Sequence, residues 1–241
     1  MPTLLSATHI GKLYGLRPVL RGVSLQAGRA EFIALLGANG AGKTTLLRIL
    51  ATLMRPDSGT LTIGDVDALA QPDKARAWIG LVSHASLIYP DLSAQENLLF
   101  YGQMHGIKRD DLESRVEEAL RRVNLWLRRR DLARTFSRGM LQRLTIARAL
   151  LPNPPLLLLD EPFTGLDQSS AASLSSLLRD LVRQGHTAIM ATHELGRSLE
   201  GITRAVILKG GQVGEELYED LTPSRLAARM RDASSNHAPG T

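Results

Sequence analysis

The chain of 241 residues is predicted to have an α/β fold, with a mainly parallel sheet, an antiparallel N-terminal β part and an inserted helical subdomain. Two continuous apolar runs, 32–36 and 156–159, alternate with segments of helical periodicity, a pattern typical of parallel strands that are covered on both faces. Short strands separated by glycines over residues 4–36 indicate the antiparallel part. From about residue 85 to residue 153 the apolar spacing is helical, which indicates the insertion.

The individual elements are predicted from apolar spacing and from glycine and proline breaks. The predicted strands after the N-terminal part lie at 32–36, 61–63, 78–82, 156–159, 187–191, 204–208 and 212–216. The predicted helices lie at 46–53, 94–105, 110–123, 137–150 and 169–183. We therefore predict one domain over residues 1–220, with the helical subdomain at about 85–153, followed by a short tail at 221–241 that is partly disordered.

The composition indicates a globular protein, because 44% of the residues are hydrophobic. The chain has no cysteine, which excludes disulfides, thiolate catalysis and cysteine metal sites. The net charge of +5 suits nucleic acid, an anionic membrane surface or simple solubility. The arginines at 121–122 and 128–130 lie among acidic residues, so a solvated helix face is favoured over a dedicated anion site. No secretory signal and no membrane span is predicted.

Residues 37–45 have the pattern of a phosphate-binding loop, G-x-x-x-x-G-K-S/T, between a predicted strand and a predicted helix. Glycines let backbone N–H groups point at phosphate oxygens, and the helix N-terminus adds free donors. We expect Lys43 to reach the β- and γ-phosphates of ATP, and the Thr44 hydroxyl to hold Mg²⁺. A plain glycine turn is the alternative, and the flanking strand and helix disfavour it. The predicted ATP-binding residues of the loop are Gly37, Ala38, Asn39, Gly40, Ala41, Gly42, Lys43, Thr44 and Thr45.

Three further polar residues follow apolar strands and are candidates for the chemistry. Asp160 and Glu161 end the run 156–159, at the strand edge where ligands bind in open α/β sheets. Asp160 can hold Mg²⁺ directly or through water, and Glu161 can polarise a water for attack on the γ-phosphate. His193 follows the strand at 187–191 and can donate to the γ-phosphate or fix the attacking water. The simpler interpretations are an acidic strand end and a loop histidine.

A serine and a glycine at 137 and 139 precede the third inserted helix, which by itself is only a capping signal. The order of motifs is more specific: the phosphate loop, Ser-x-Gly-x-x-Gln-Arg at 137–143, the apolar strand ending in Asp-Glu, Gly-Leu-Asp at 165–167, and His193. Over residues 4 to about 216 the chain resembles the nucleotide-binding domain of ABC transporters. The resemblance implies a P-loop NTPase of the ABC ATPase type that uses ATP and Mg²⁺.

The resemblance assigns further residues. Tyr14 lies where the family has an aromatic ring that stacks on adenine, and Asp167 lies in the loop that crosses a dimer interface. In the family, the signature segment closes on ATP held by a second copy of the chain, in a head-to-tail dimer. The corresponding residues here are Ser137, Arg138, Gly139 and Met140.

The chain departs from the family pattern at three positions. Arg138 replaces a signature glycine and Met140 replaces a glutamine. We expect Arg138 either to add positive charge near the phosphates or to point to solvent. His84 stands where the family usually has a glutamine that contacts Mg²⁺ or water, and it is included as a candidate metal ligand.

A narrower resemblance concerns the transporter itself. The segments 15–22, 135–140, 161–167, 83–84 and 96–101 are similar to the ATP-binding subunit of the haem exporter used in cytochrome c maturation. This implies integral membrane transporter subunits as partners, peripheral attachment to the cytoplasmic face of the membrane, and no direct haem binding by this chain. The alternatives are the ATPase of an exporter of drugs, lipid or polysaccharide and, more remotely, a soluble ATPase that acts on nucleic acid or ribosomes. Nucleic acid is disfavoured because such proteins usually have two ATPase units or long coiled coils.

Overall fold

The computed structural model describes residues 3–83, 85–193, 196 and 199–235. Within these residues the strands form two sheets. The antiparallel sheet has the order β2 (Arg17–Gly28), β1 (Thr3–Tyr14), β4 (Ser58–Ile63) and β5 (Val66–Asp67). The second sheet has the order β10 (Gln212–Leu217), β9 (Arg204–Lys209), β3 (Phe32–Leu36), β8 (Thr187–Ala191), β7 (Leu156–Asp160) and β6 (Ile79–Val82).

The second sheet is parallel except at one edge, where β10 pairs antiparallel with β9. The helices that the structure describes are α1 (Lys43–Leu50), α2 (Pro72–Arg76), α3 (Ala94–Met104), α4 (Arg109–Arg122), α5 (Arg138–Leu150), α6 (Gln168–Arg183) and α7 (Pro223–Ser235). Short 3₁₀ turns at Trp126–Arg128 and Ala133–Thr135 connect α4 to α5. This arrangement confirms the predicted fold class.

The core consists of two apolar clusters, one on each face of the parallel sheet. Alternate residues of β3 point to opposite faces, so that Phe32 joins the cluster formed with α3–α6, while Ile33 joins the cluster shared with α1 and the antiparallel sheet. All of β3 and the apolar part of β7 are buried. This explains why both strands read as continuous apolar runs in the sequence.

Within the predicted tail, residues 223–235 form α7, and Leu226 on this helix is fully buried in the core. That the tail is partly disordered stays a prediction. The structure corrects two other predictions about secondary structure. The N-terminal part consists of two long strands instead of several short ones, because β1 and β2 continue through register shifts that absorb irregular residues. The first helix ends at Leu50, since residues 51–54 form a turn in which Thr52 has a φ of 58°.

None of the helices in the described segments combines the length and the apolar character that a membrane span requires.

Candidate functional site

The phosphate-binding loop lies between β3 and α1. Gly42 has a φ of 102° and directly precedes Lys43, the first residue of α1. A Cβ atom at position 42 would lie 2.7 Å from Leu20 Cδ2 and 3.1 Å from the carbonyl oxygen of Val19, so β2 packs directly against the loop. Only glycine fits both the backbone angle and this close contact. The first amides of α1 have no carbonyl partners within the helix, which is the donor arrangement that binds phosphate.

Lys43 is held inside the loop, with 7% of the residue exposed. Its Nζ donates to the carbonyl oxygens of Gly37 at 2.7 Å and Ala38 at 3.2 Å. Burial lowers the pKa of Lys43, and the charges of Glu161 and Asp160 act in the opposite direction. The ammonium group therefore lies within electrostatic reach of both carboxylates, but its direct partners are neutral carbonyls. An anion in the loop would be a stronger partner for it.

The end of β7 meets the start of α1 through one hydrogen bond. Thr44 Oγ1 donates to Asp160 Oδ1 at 3.1 Å, and both residues are half-buried. Hydroxyl and carboxylate oxygens are the ligands that Mg²⁺ prefers, and it is commonly bound by one or two of them together with phosphate oxygens. The donor set at Thr44 and Asp160 therefore fits Mg²⁺.

Glu161 and His193 contact each other across β7 and β8. These strands are adjacent and parallel, with Asp160 paired to Ala191, which confirms the predicted neighbourhood of the two strands. Glu161 Oε1 lies 2.8 Å from His193 Nδ1. Glu161 Oε2 is buried and has no hydrogen-bond partner within the described part of the chain. An unpaired buried carboxylate oxygen is costly, and a water molecule would satisfy it.

The backbone at Glu161 is strained. Its φ is 52°, in the left-handed region that non-glycine residues rarely adopt. Its amide donates to the carbonyl oxygen of Ala191 at 2.9 Å, which holds this conformation against β8. Strain of this kind costs about 1–3 kcal/mol and is concentrated at functional sites. This conformation turns the chain sharply after β7. As a result, Asp160 contacts Thr44, whereas Glu161 contacts His193.

The phosphate loop, Glu161 and His193 line one cleft of about 1000 Å³. Tyr14 lies in the wall of this cleft with 47% of the residue exposed, and its hydroxyl donates to Met54 Sδ at 3.3 Å. The ring is therefore anchored at its polar end while much of it stays accessible for stacking.

Several lining residues were not predicted from the sequence. They are Arg17, Pro18, Val19, Arg21, Thr164, Ile207, Leu208, Lys209, Gly210, Gly211 and Met230. The position of Arg17 and Arg21 shortly after Tyr14 was a signal that could have found them. No local signal identifies Met230, because α7 reaches the cleft only through the fold.

The predicted signature segment lies elsewhere. Among the described residues that line the cleft, none belongs to 137–140. Ser137 caps α5 by accepting a hydrogen bond from the Met140 amide at 3.3 Å. Arg138 is exposed, and its guanidinium lies over Gly165. It does not line the cleft of its own chain, and whether it lies near the phosphates of a partner's nucleotide stays a prediction.

Asp167 caps α6 by accepting a hydrogen bond from the Ser170 amide at 2.7 Å. Hydrogen bonds from the Ser170 amide and hydroxyl lower the pKa of Asp167. Gly139 packs against Ser170, so the N-termini of α5 and α6 are in direct contact. His84, the candidate metal ligand, lies outside the described residues.

Residues 20–164 match the family described as "ABC transporter". The linearmycin resistance ATP-binding protein LnrL of Bacillus subtilis (strain 168) is 37% identical over 190 residues, which are 79% of this chain and 61% of that protein. The ABC transporter ATP-binding protein NatA of the same organism is 33% identical over 208 residues, 83% of this chain and 84% of that protein.

Solved structures give the same result. The structure of an ATP-binding subunit of an ABC transporter matches with a TM-score of 0.81 and 28% identity, covering 97% of this chain and 98% of that one. A dimeric ATP-binding cassette in a post-hydrolysis state, bound to ADP and Pi, matches with a TM-score of 0.78 and 28% identity, covering 89% of this chain and 98% of that one. From its family match, its relatives and the geometry of its cleft, the chain belongs to the ABC transporter family, as an ATP-binding cassette.

Proposed function

We propose that the chain binds and hydrolyses ATP as the nucleotide-binding subunit of an ABC transporter. One observation supports this most directly: beside a cleft lined by the phosphate loop, the half-buried Glu161 carboxylate has one oxygen on His193, and its other, buried oxygen has no hydrogen-bond partner among the described residues. A carboxylate in this position can accept a proton from a water molecule next to a bound triphosphate.

In the proposed complex, the loop amides and the Lys43 ammonium bind the phosphates of ATP, and the Tyr14 ring stacks on adenine. Lys43 leaves its two carbonyl partners for phosphate oxygens, which replaces neutral acceptors with charged ones. Thr44 and Asp160 are the residues that would hold Mg²⁺. When bound, this ion supplies positive charge that neutralises the charge developing on the phosphate oxygens.

Hydrolysis needs a base and an oriented water. Glu161 accepts a proton as the water oxygen bonds to the γ-phosphorus, and the bond from that phosphorus to the bridging oxygen breaks, which leaves ADP and phosphate. His193 Nδ1 donates to Glu161 when the ring is neutral, so its Nε2 is then an acceptor. An acceptor at this position suits a hydrogen bond from the attacking water better than one to phosphate.

A second copy of the chain is part of the proposal. Residues 137–140 do not line the cleft of their own chain. We therefore propose that the signature segment contacts the nucleotide in the cleft of a partner, in a head-to-tail dimer. The dimeric relative bound to ADP and Pi supports such a pair. ATP then holds the two copies together, and hydrolysis releases them.

We propose export of haem for cytochrome c maturation as the transport function, with integral membrane subunits as partners and peripheral attachment to the cytoplasmic face of the membrane. The local segments at 15–22, 135–140 and 161–167 support it. A second candidate is export of another small molecule. It is favoured by the linearmycin resistance relative, by the daunorubicin resistance ATP-binding protein DrrA3 of Streptomyces coeruleorubidus at 32% identity, and by the Nod factor export ATP-binding protein I of Rhizobium etli at 34% identity.

The test of the enzymatic function is Glu161→Gln in the chain purified with its membrane partner. We expect turnover of ATP to fall by about 10²–10⁴-fold, the usual contribution of a general base, while ATP binding is retained. Glu200→Gln is the matched control, because Glu200 is a carboxylate on the surface that pairs with Arg179 at 3.2 Å. Undiminished turnover in Glu161→Gln would remove Glu161 from the proposed role.

The cargo is tested separately. Deletion of the gene should abolish the assembly of cytochromes c if haem is exported, and expression of the chain should restore it. Normal cytochrome assembly combined with sensitivity to an amphipathic drug would favour the second candidate instead.

A further inference from the structure

The signature segment and the loop that carries Glu161 touch each other within one chain. We call residues 161–167 the Glu161 loop. A Cβ atom at Gly165 would lie 2.3 Å from Arg138 Cζ, 2.4 Å from Nη1 and 2.7 Å from Nη2. All three guanidinium atoms are at similar distances, so the guanidinium lies over the Gly165 backbone. Gly165 has a φ of 70°, and it therefore suits this position for its backbone angle as well as for the contact.

Arg138 lies on the loop without a charged partner there. Among the residues that the structure describes, no ion pair or hydrogen bond joins the Arg138 side chain to another residue. Asp167, an acidic residue of the loop, is engaged as the cap of α6. Packing on the exposed glycine is thus the contact that the structure gives this side chain.

Two short hydrogen-bonded turns connect Glu161 to the residues around Gly165 within this loop. The Thr164 amide donates to the carbonyl oxygen of Glu161 at 3.2 Å, and the Leu166 amide donates to that of Phe163 at 3.1 Å. Phe163 is anchored in the core with 4% of the residue exposed. The Phe163 side chain thus anchors the loop to the core, and Gly165 is the exposed residue of the loop that Arg138 contacts.

We propose that Arg138 is a positioning residue that ties the signature segment to the Glu161 loop, so that movement of the segment sets the position of the Glu161 carboxylate. This inference rests on the proposed ATPase function and deepens it. The signature segment of one chain closes on a nucleotide held by the second copy. Arg138 then carries this movement to Glu161, the general base in the cleft of the first chain. One nucleotide site thereby influences the other through a contact inside one chain.

The first test does not require ATPase activity. In the isolated chain, hydrogen exchange at the Thr164 and Leu166 amides is compared between the wild type and Arg138→Ala. We expect both amides to exchange about tenfold faster in the variant, because the loop opens locally more often. Arg134→Ala is the matched control, since Arg134 is an exposed arginine that pairs with Asp91 at 3.0 Å. Unchanged exchange at both amides in Arg138→Ala would overturn the proposal.

The second test separates positioning from charge in the complex with the membrane partner. We expect Arg138→Ala to lower kcat about tenfold while the KM for ATP changes by less than about twofold. Arg138→Lys should behave like the alanine variant, because an ammonium group lacks the planar surface that covers Gly165. Wild-type kcat in Arg138→Lys, or a raised KM with unchanged kcat in Arg138→Ala, would show a direct charge contact with nucleotide and refute positioning.

A double-mutant cycle with Gly165→Ala completes the test. The added Cβ must displace the guanidinium, so we expect Gly165→Ala to lower kcat in the wild type and to have a smaller effect in Arg138→Ala. The backbone strain of alanine at position 165 is present in both backgrounds and cancels. Additive effects would contradict the proposal. If the wild-type complex hydrolyses no ATP, the ATPase function fails, whereas the exchange experiment still decides whether Arg138 holds the loop.

Discussion

Substitution of Lys43 by methionine should lower the affinity of the protein for nucleotide without lowering the stability of the unliganded fold. Lys43 has 7% of its surface exposed, and its ammonium contacts two neutral carbonyl oxygens at 2.7 and 3.2 Å. Burial is the largest cause of its lowered pKa, so the folded state penalises the charged form. Methionine has a similar length and no charge. The variant should therefore lose the phosphate contacts without weakening the unliganded protein.

The magnitude follows from the two hydrogen bonds that the ammonium makes. If both are transferred to phosphate oxygens, each contributes about 1.5–3 kcal/mol as a bond to a charged group. Their loss raises the Kd for ATP by roughly 10²–10⁴-fold. At an ATP concentration of 100 times the wild-type Kd, binding stabilises the wild type by about 2.7 kcal/mol and the variant by about 0.4 kcal/mol or less.

The assay is thermal unfolding with and without ATP and magnesium. For a chain of this size about 1 kcal/mol corresponds to roughly 2–4 °C. We therefore expect a nucleotide-induced rise in Tm of about 5–11 °C in the wild type and of about 1 °C in Lys43→Met. Without nucleotide, the variant should unfold within about 1 kcal/mol of the wild type or be more stable. Lys74→Met is the control, because Lys74 is exposed and bonds only to Gln71 among the described contacts.

Two results would refute this reasoning. A full nucleotide-induced rise in Lys43→Met would mean that Lys43 does not contact the phosphates. A variant that unfolds many degrees below the wild type without nucleotide would mean that the two carbonyl contacts stabilise the fold by more than the burial of the charge costs.

Two predictions concern the rest of the fold. Hydrogen bonds from Lys12 and the Leu13 amide lower the pKa of Asp57 below 3.8, so this carboxylate stabilises the fold above that pH and loses its contribution as the pH falls through the lowered pKa. Asp57→Asn should lower Tm at pH 7, and the difference from the wild type should shrink as the pH falls through the lowered pKa; a difference that does not change with pH would contradict this. Leu226→Ala should lower the free energy of unfolding by about 2–5 kcal/mol in urea titrations, because Leu226 is 0% exposed, whereas Leu16→Ala, at a position 99% exposed, should have little effect.

The local motifs were readable from the sequence because each depends on residues that are adjacent in the chain. The loop at 37–45 needs glycines before a helix, and Gly42 indeed has the backbone angle that requires one. Strands β3 and β7 are buried on both faces, so burial favours an apolar side chain at every position of their apolar runs. The positions of Asp160 and His193 at strand ends followed from the apolar runs of β7 and β8. Their roles in hydrolysis stay predictions.

The tail shows what composition alone does not report. Residues 221–241 are polar and contain few large apolar side chains, which favours disorder when the segment is considered alone. Leu226 nevertheless reaches the core cluster, and this burial stabilises α7. The gain comes from residues distant in the chain, so no local pattern reports it.

By itself the sequence determined the fold class, the phosphate loop and the acidic strand end, because these depend on backbone angles and on burial that repeat along the chain. Only the tertiary structure decided that Glu161 contacts His193 at 2.8 Å, that the signature segment lies outside the cleft, and that Arg138 lies over Gly165. Such contacts join residues that are far apart in the chain. Their distances depend on how sheets and helices pack, which spacing along the chain does not encode.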